Sequence, residues 1–302
     1  MARKRKGNNV QGILLLDKPL GLSSNQALQR CKHLLNAQKA GHTGTLDPMA
    51  TGLLPLCFGN STKISQYLLD SDKGYFATIK YGITTESGDA EGSVIATAEN
   101  IPELTLAQLE VYCEHLRGDI EQIPPMFSAL KHQGKPLYLL AREGIEIERK
   151  PRQVTIYKLE ILRLDPTLHE IDIQVHCSKG TYIRSLAISL GEMIGCGAHL
   201  IGLHRTHCGL FSIDQAIGLD KLAEQSDIKR LEHLVSPEQA FTNTPIYTIP
   251  QEWIRSFYDK GKLPPTQHHG IVRLYCEQTF VAIAEFINGE MQHKQIFIRY
   301  LE

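Results

Sequence analysis

Two stretches of the chain repeat with a period of two, and they constrain the fold more than any other feature. In 75–81 the residues Tyr75, Ala77, Ile79 and Tyr81 share one face, and in 171–177 Ile171, Ile173, Val175 and Cys177 do the same. Alternation of this kind places every second side chain on one side of an extended backbone, so both stretches read as strands. The run Gly12-Ile-Leu-Leu-Leu16 reads as a buried strand, and Leu53 to Phe58 is another short apolar run. Helical signals fall between them. Ser23 or Ser24 can cap a helix whose apolar positions include Ala27, Leu28, Leu34 and Leu35. Ile183, Leu186, Ala187, Leu190 and Ile194 keep helical spacing, and Gly195 can end that helix. Strands and helices are mixed without a regular strand–helix–strand rhythm. That predicts an α+β fold with a mixed, largely antiparallel central sheet.

Residues 235–247 are polar and punctuated, which predicts a domain boundary there. The segment behind it carries strand-like runs at 271–276, 279–287 and 295–299 and reads as a small β-rich appendage, 246–302. A chain of 302 residues accommodates this beside a main domain at 11–240. No apolar run is long enough to span a bilayer, so no membrane contact is expected. The N-terminus, MARKRKG, has basic residues at 3–6 with no apolar segment behind them, which reads as a basic arm over 1–10 rather than a secretory signal. The arm either touches phosphate or is simply solvated. Seven cysteines, an odd number, sit mostly in apolar stretches, as expected for reduced thiols in a cytoplasmic protein. A monomer is expected, since no coiled-coil repeat is present.

The net charge of -1 does not announce a polyanion partner, but its distribution is uneven. Residues 131–152 carry six Lys or Arg against three Glu, while 213–302 carry nine against twelve Asp or Glu. A polyanion would therefore meet the first two thirds of the chain.

The most unusual stretch is 41–59, GHTGTLDPMATGLLPLCFG, which sets Asp47 between a Gly/Thr-rich turn and an apolar run. Taken alone, Asp47-Pro48 reads as the start of a helix, with aspartate as cap and proline in the first turn. The phosphate-loop pattern is absent, and Gly59-Asn-Ser-Thr-Lys63 does not supply it, so nucleotide hydrolysis is set aside. Cys196, His199, His204, His207 and Cys208 are zinc-ligand types, but their spacings differ from paired knuckles.

With its neighbours, this stretch resembles the catalytic motif of the TruB family of pseudouridine synthases. Further blocks resemble the family in order. They are Leu16-Asp-Lys-Pro19 with Gly21-Leu-Ser-Ser24, and Lys73-Gly-Tyr75 with Gly82, Thr84, Asp89 and Gly92. Gln122-Ile-Pro-Pro125, Ser128-Ala-Leu-Lys131, Gly134, Tyr138 and Ala141-Arg-Glu-Gly144 follow, then Lys179-Gly-Thr-Tyr-Ile-Arg184, Gly197-Ala-His-Leu200 and Arg205-Thr206. The likeness runs from about residue 11 to 212. It departs at His204, where the family often has arginine. The departure implies one phosphate partner fewer, or one that has become pH-sensitive.

The resemblance implies the pseudouridine synthase fold with a PUA-like C-terminal domain. It also implies conversion of the uridine of the tRNA TΨC loop to its C-glycoside isomer. That reaction gains and loses no atoms and moves no electrons to an acceptor, so no cofactor and no metal are expected. It needs an ionised carboxylate beside the ribose, acting as nucleophile or as base, and the resemblance gives this role to Asp47. Arg184 matches the arginine that pairs with that aspartate, and Tyr75 the tyrosine that stacks on the flipped base. Without the family, Arg184 would read as a surface residue at a helix start and Tyr75 as a core residue of its strand.

His42, Tyr182, Leu203 and Lys18 match residues around the target. Residues 124–152 match a flap that grips the RNA, with Lys131, Arg142, Lys150 and Arg152 as candidate phosphate contacts beside Arg149. Two other readings stand beside this one: a tRNA-binding folding chaperone without catalysis, and a pseudouridine synthase for another RNA site.

Overall fold

A computed structural model describes residues 7–297, so the basic residues at 3–6 lie outside it. The main sheet is organised by eight strands: β1 (Gly12–Lys18), β2 (Ala40–His42), β3 (Ala50–Phe58), β4 (Lys73–Tyr81), β5 (Gly118–Gln122), β6 (Arg152–Asp165), β7 (Glu170–Cys177) and β8 (Ala198–Cys208). Three short pieces complete it: Phe211–Ser212 on β8, Ile217–Gly218 and Leu234–Val235 on β1. Across the sheet the order is β1, β3, β8, β4, β7, β6, β5, with β2 paired to β3. Within this sheet two pairings are parallel, β3 with β8 and β1 with Ile217–Gly218, and its other strand pairings are antiparallel. The mixed, largely antiparallel sheet agrees with the expectation from the sequence.

The unbroken apolar run of β1 has a structural cause: the strand is covered on both faces. Leu14 and Leu16 point into one cluster, while Ile13 and Leu15 point into another. In β3, Leu54 and Leu56 join the first cluster and Leu53 and Cys57 the second. A strand sandwiched in this way shows no alternation, whereas β4 and β7 keep one open face and alternate cleanly.

With Leu219 and Leu222 of a short helix, Leu219–Glu224, added at its edge, the first cluster is closed mainly by three helices. These are α1 (Ser24–Leu34), α2 (Leu106–Glu114) and, after α3 (Leu137–Arg142) in the chain, α4 (Ile183–Ile194). Ser23 caps α1 in a reciprocal box with Gln26, and Gly195 ends α4 in the left-handed region at φ 89°. Six cysteines are buried, Cys196 is half-buried, and all seven are free.

The C-terminal unit is a four-stranded sheet in the order β9 (Ile246–Thr248), β10 (Gly270–Cys276), β11 (Thr279–Ile287), β12 (Glu290–Ile296). Helix α5 (Gln251–Lys260) contributes Ile254 and Phe257 to its core. The apolar pattern predicts the last strand at 295–299. The strand instead starts at Glu290 and pairs tightly with β11 after a turn, with Gly289 at φ 80°. Helix α5 stands where the sequence reading expects only strands, although Trp253, Ile254, Phe257 and Tyr258 keep helical spacing. Phe280 and Ile283 of β11 sit in the second cluster beside Ile13, Leu15, Leu53 and Cys57. The C-terminal sheet thus backs the face of the main sheet opposite α1 and α4.

Candidate active site

On the helix-covered face, five residues stand in one lateral row across the main sheet. The register pairs Lys18 with Gly52, Gly52 with Arg205, Arg205 with Tyr75, and Tyr75 with Val175. Two residues along, Leu203 lies between Ala50 and Ala77 on the same face. Directly paired residues face the same side, so the strands alone bring Lys18, Arg205, Tyr75 and Leu203 to one floor.

The loop over this floor carries Asp47. No helix follows it: Pro48 and Met49 form a turn closed by the Ala50 N–H donating to the Asp47 carbonyl at 3.0 Å, and β3 begins at once. The helix-cap reading of Asp47-Pro48 therefore fails, because the apolar run behind it enters the sheet. The loop is tied down along its length. Ser24 Oγ donates to the Leu46 carbonyl at 3.0 Å and accepts from the Leu46 N–H at 2.7 Å. Thr43 bonds the Pro55 carbonyl at 3.1 Å through its hydroxyl, and the Gly21 N–H bonds the Pro48 carbonyl at 2.8 Å. Gly44, at φ 103°, supplies a left-handed turn closed to most side chains.

Arg184, in the first turn of α4, reaches under this loop. It is 4% exposed and far from the surface role its helix position suggested. Its Nη2 lies 3.0 Å from Asp47 Oδ2 and donates to the Phe127 carbonyl at 2.6 Å. Its Nη1 lies 3.4 Å from Asp89 Oδ2 and donates to the Ser87 carbonyl at 3.1 Å. One guanidinium thus joins the Asp47 loop, the Ser87–Asp89 turn and the base of the 124–152 segment.

Asp89 is buried and is held by the Ser87 hydroxyl and the Glu91 N–H. The Asp47 side chain keeps 35% exposure, so its carboxylate sits at an opening above a buried cation. Burial pushes its pKa above the ordinary carboxylate value, Asp89 adds to that, and Arg184 and Lys18 oppose it.

The remaining residues divide by how they are held. Lys18 is fully buried, and its Nζ donates to the carbonyls of Pro19 at 2.9 Å and Leu22 at 2.6 Å. Burial lowers its pKa to about 8, against the pull of Asp47 and Glu91. Tyr75 is 9% exposed and its phenol is pushed up to about 12 by burial. His42 ends β2, and burial followed by the Arg205 charge lowers its pKa. Tyr182 caps α4, its backbone N–H donating to Gln122 Oε1 at 3.0 Å, and burial raises its phenol. Among the described residues, no three His, Cys, Asp or Glu side chains gather as metal ligands. His199 bonds the Ile83 carbonyl and His204 bonds Thr51, each at 2.9 Å.

The family is decided by comparison with known proteins. Residues 32–183 match the model of the TruB family pseudouridylate synthase N-terminal domain. Residues 184–241 match the tRNA pseudouridylate synthase B C-terminal domain. The chain is 54% identical over 295 residues to tRNA pseudouridine synthase B of Francisella philomiragia, covering 97% of each chain. It is 50% identical over the same length, with the same coverage, to that of Francisella tularensis subsp. novicida. This chain belongs to the TruB family of pseudouridylate synthases.

Among solved structures, the TruB-family chain matches one titled as a Cbf5-Nop10-Gar1 complex, with TM-score 0.71, 24% identity, and 94% of this chain and 82% of that one covered. It also matches an H/ACA RNP bound to a substrate RNA containing 2'-deoxyuridine, with TM-score 0.72, 20% identity, and 99% and 92% covered. At these identities the likeness establishes the fold.

The basic positions stand apart from the buried cluster. Lys131 sits on a two-residue strand, Lys131–His132, paired with Lys135–Pro136, and Arg142 closes α3 with its guanidinium 5.8 Å over the Tyr138 ring. Lys150 and Arg152 are exposed at the entrance to β6. Arg149 is committed within the segment, to Glu146 at 3.0 Å and the Pro124 carbonyl at 3.3 Å.

Sequence reasoning does not single out two participants in the site, Asp89 and Arg205. Both lie in the blocks that carry the family resemblance, but nothing in their local pattern distinguishes a buried partner from a turn or strand residue.

Proposed function

We propose that this chain isomerises a uridine of tRNA to pseudouridine, that the target is the uridine of the TΨC loop, and that Asp47 is the catalytic carboxylate. The observation that carries this reading is the Arg184–Asp47 contact at 3.0 Å. It holds a partly exposed carboxylate over a buried guanidinium, on the sheet face that also presents Tyr75.

Isomerisation breaks the N-glycosidic bond, turns the base and joins C5 to the ribose. Asp47 serves it by attack at C1′ or by removal of the C2′ proton, and both routes need the carboxylate ionised. Burial works against ionisation, and Arg184 restores it while fixing direction. The target base must leave its stack to reach this site. Tyr75 offers it a ring, Leu203 and Tyr182 the walls, and His42 a contact beside the turn. Lys18 shapes the floor, since its ammonium is spent on the Pro19 and Leu22 carbonyls. Lys131, Arg142, Lys150 and Arg152 take backbone phosphates of the arm, which positions the RNA and makes binding salt-dependent. The protein acts as a cytoplasmic monomer, with a PUA-like C-terminal unit.

Asp47→Asn tests this against a binding-only chaperone. Hydrogen release from C5 of uridine should be abolished, while tRNA affinity stays within about 3-fold, because the phosphate contacts are untouched. Full release by the variant would remove Asp47 from the mechanism.

A further inference from the structure

Gln122 is a buried amide that spends both of its polar atoms on the backbone of one residue. It ends β5 and is 6% exposed. Its Oε1 accepts from the Tyr182 N–H at 3.0 Å, and its Nε2 donates to the Tyr182 carbonyl at 3.3 Å. Tyr182 is where α4 begins. Its carbonyl takes the first bond of the helix, from the Leu186 N–H at 3.3 Å, while its own side chain makes no capping bond. The end of α4 that carries Arg184 is therefore held from the sheet, by a side chain 60 positions earlier in the chain.

Gln122 also stands at the neck of the 124–152 segment. It pairs with Arg152, where the chain returns to the sheet. A second tie joins the same two parts of the molecule, since Arg184 Nη2 donates to the Phe127 carbonyl at 2.6 Å. The start of α4 is thus fastened to the root of the segment at two points. One runs through the Tyr182 backbone, and the other through the guanidinium that meets Asp47. A planar amide that engages the N–H and the C=O of one residue fixes direction as well as distance, and an apolar side chain of the same size would lose both bonds.

We propose that Gln122 is a positioning residue for the reaction: it sets the first turn of α4 so that Arg184 meets the Asp47 carboxylate and Tyr182 walls the target base. This rests on the isomerase reading above. Gln122 acts through Arg184, two residues past the one it holds. The Arg184–Asp47 contact is 3.0 Å, so a shift of about 1 Å at the helix start takes it out of hydrogen-bond reach.

The test is a double-mutant cycle of Gln122→Met and Arg184→Met, read as C5-hydrogen release from tRNA across pH. Gln122→Met keeps the size of the side chain and removes both bonds. It should lower kcat about 10- to 100-fold, as small misplacements at a reacting centre do, with KM for tRNA within about 2-fold. The acid limb of its pH–rate profile should move to higher pH, because a carboxyl whose cation is misplaced holds its proton longer. On the Arg184→Met background the same change should cost less than about 3-fold, because the group it acts through is already gone. Equal losses on both backgrounds would show a general structural role and overturn the proposal. So would a variant that loses thermal stability while kcat and the acid limb stay at wild type, or one altered only in KM. Should Gln122→Met not fold, Gln122→Glu carries the same cycle; it keeps the acceptor for the Tyr182 N–H and loses the donor, so its kcat should fall about 3- to 10-fold. Absence of release by the unaltered chain would instead overturn the isomerase reading.

Discussion

The cluster around Asp47 and the basic segment 124–152 handle charge in opposite ways. In the cluster, Arg184 is 4% exposed and is matched by two carboxylates and two carbonyls at 2.6 to 3.4 Å. In the segment, Lys131, Arg142, Lys150 and Arg152 stand in solvent. Removing one partner from a buried pair leaves the other charge uncompensated, at about 3–5 kcal/mol, whereas an exposed pair contributes about 0–1 kcal/mol. The buried charges are therefore the part that fixes geometry. The exposed ones are free to meet a partner and lose strength as salt rises.

The largest break in this contrast should come from Arg184→Met. It removes the cation that opposes the upward shift of Asp47, so kcat should fall on the order of 100-fold or more. The acid limb of the pH–rate profile should also move to higher pH, because the unpaired carboxyl holds its proton longer. An unmoved limb would show that the pair does not control ionisation.

Next comes Lys150→Glu with Arg152→Glu. Affinity for tRNA should drop about 10- to 100-fold, and the slope of log K against log salt should shrink by roughly 1.5 to 2, with kcat at saturation unchanged. An unaltered salt titration would take the segment out of the RNA interface.

Phe280→Ala, between the two sheets, should lose about 3–5 kcal/mol of stability in chemical denaturation while kcat at low temperature stays near wild type. A large kcat loss would tie the C-terminal unit to the site.

The smallest effect concerns Asp47 itself. Its pKa is raised in the fold, so the native state binds its proton more readily than the unfolded chain. Ionisation above the ordinary value of 3.8 then subtracts from stability. Because Arg184 keeps Asp89 as a carboxylate partner at 3.4 Å, it is not left uncompensated, and Asp47→Asn should be no less stable than wild type at pH 7, with its advantage shrinking as pH falls toward 3.8. A less stable variant at pH 7 would contradict that sign.

The sequence makes the strands legible wherever one face meets solvent, as in β4 and β7, since alternation records burial directly. The start of β12 is hidden, because few apolar positions mark it, whereas α5 keeps a helical spacing in Trp253, Ile254, Phe257 and Tyr258 that the reading of a β-rich appendage passes over. For the site, position in the chain and position in space part company. Arg184 is one residue into a helix and reads as exposed, yet the loop at 41–49 folds over it. Asp89 and Arg205 need the register, since Arg205 meets Tyr75 across 130 positions of chain through one strand pairing. The basic positions are readable because nothing folds over them.

The central claim is tested most directly with a tRNA transcript tritiated at C5 of uridine, since joining C5 to ribose expels that hydrogen into water. One equivalent released per tRNA, and abolished when the TΨC-loop uridine is replaced, is the predicted result. Tight binding of the tRNA without release would contradict it and leave the Asp47–Arg184 pair as a structural tie in an RNA-binding protein.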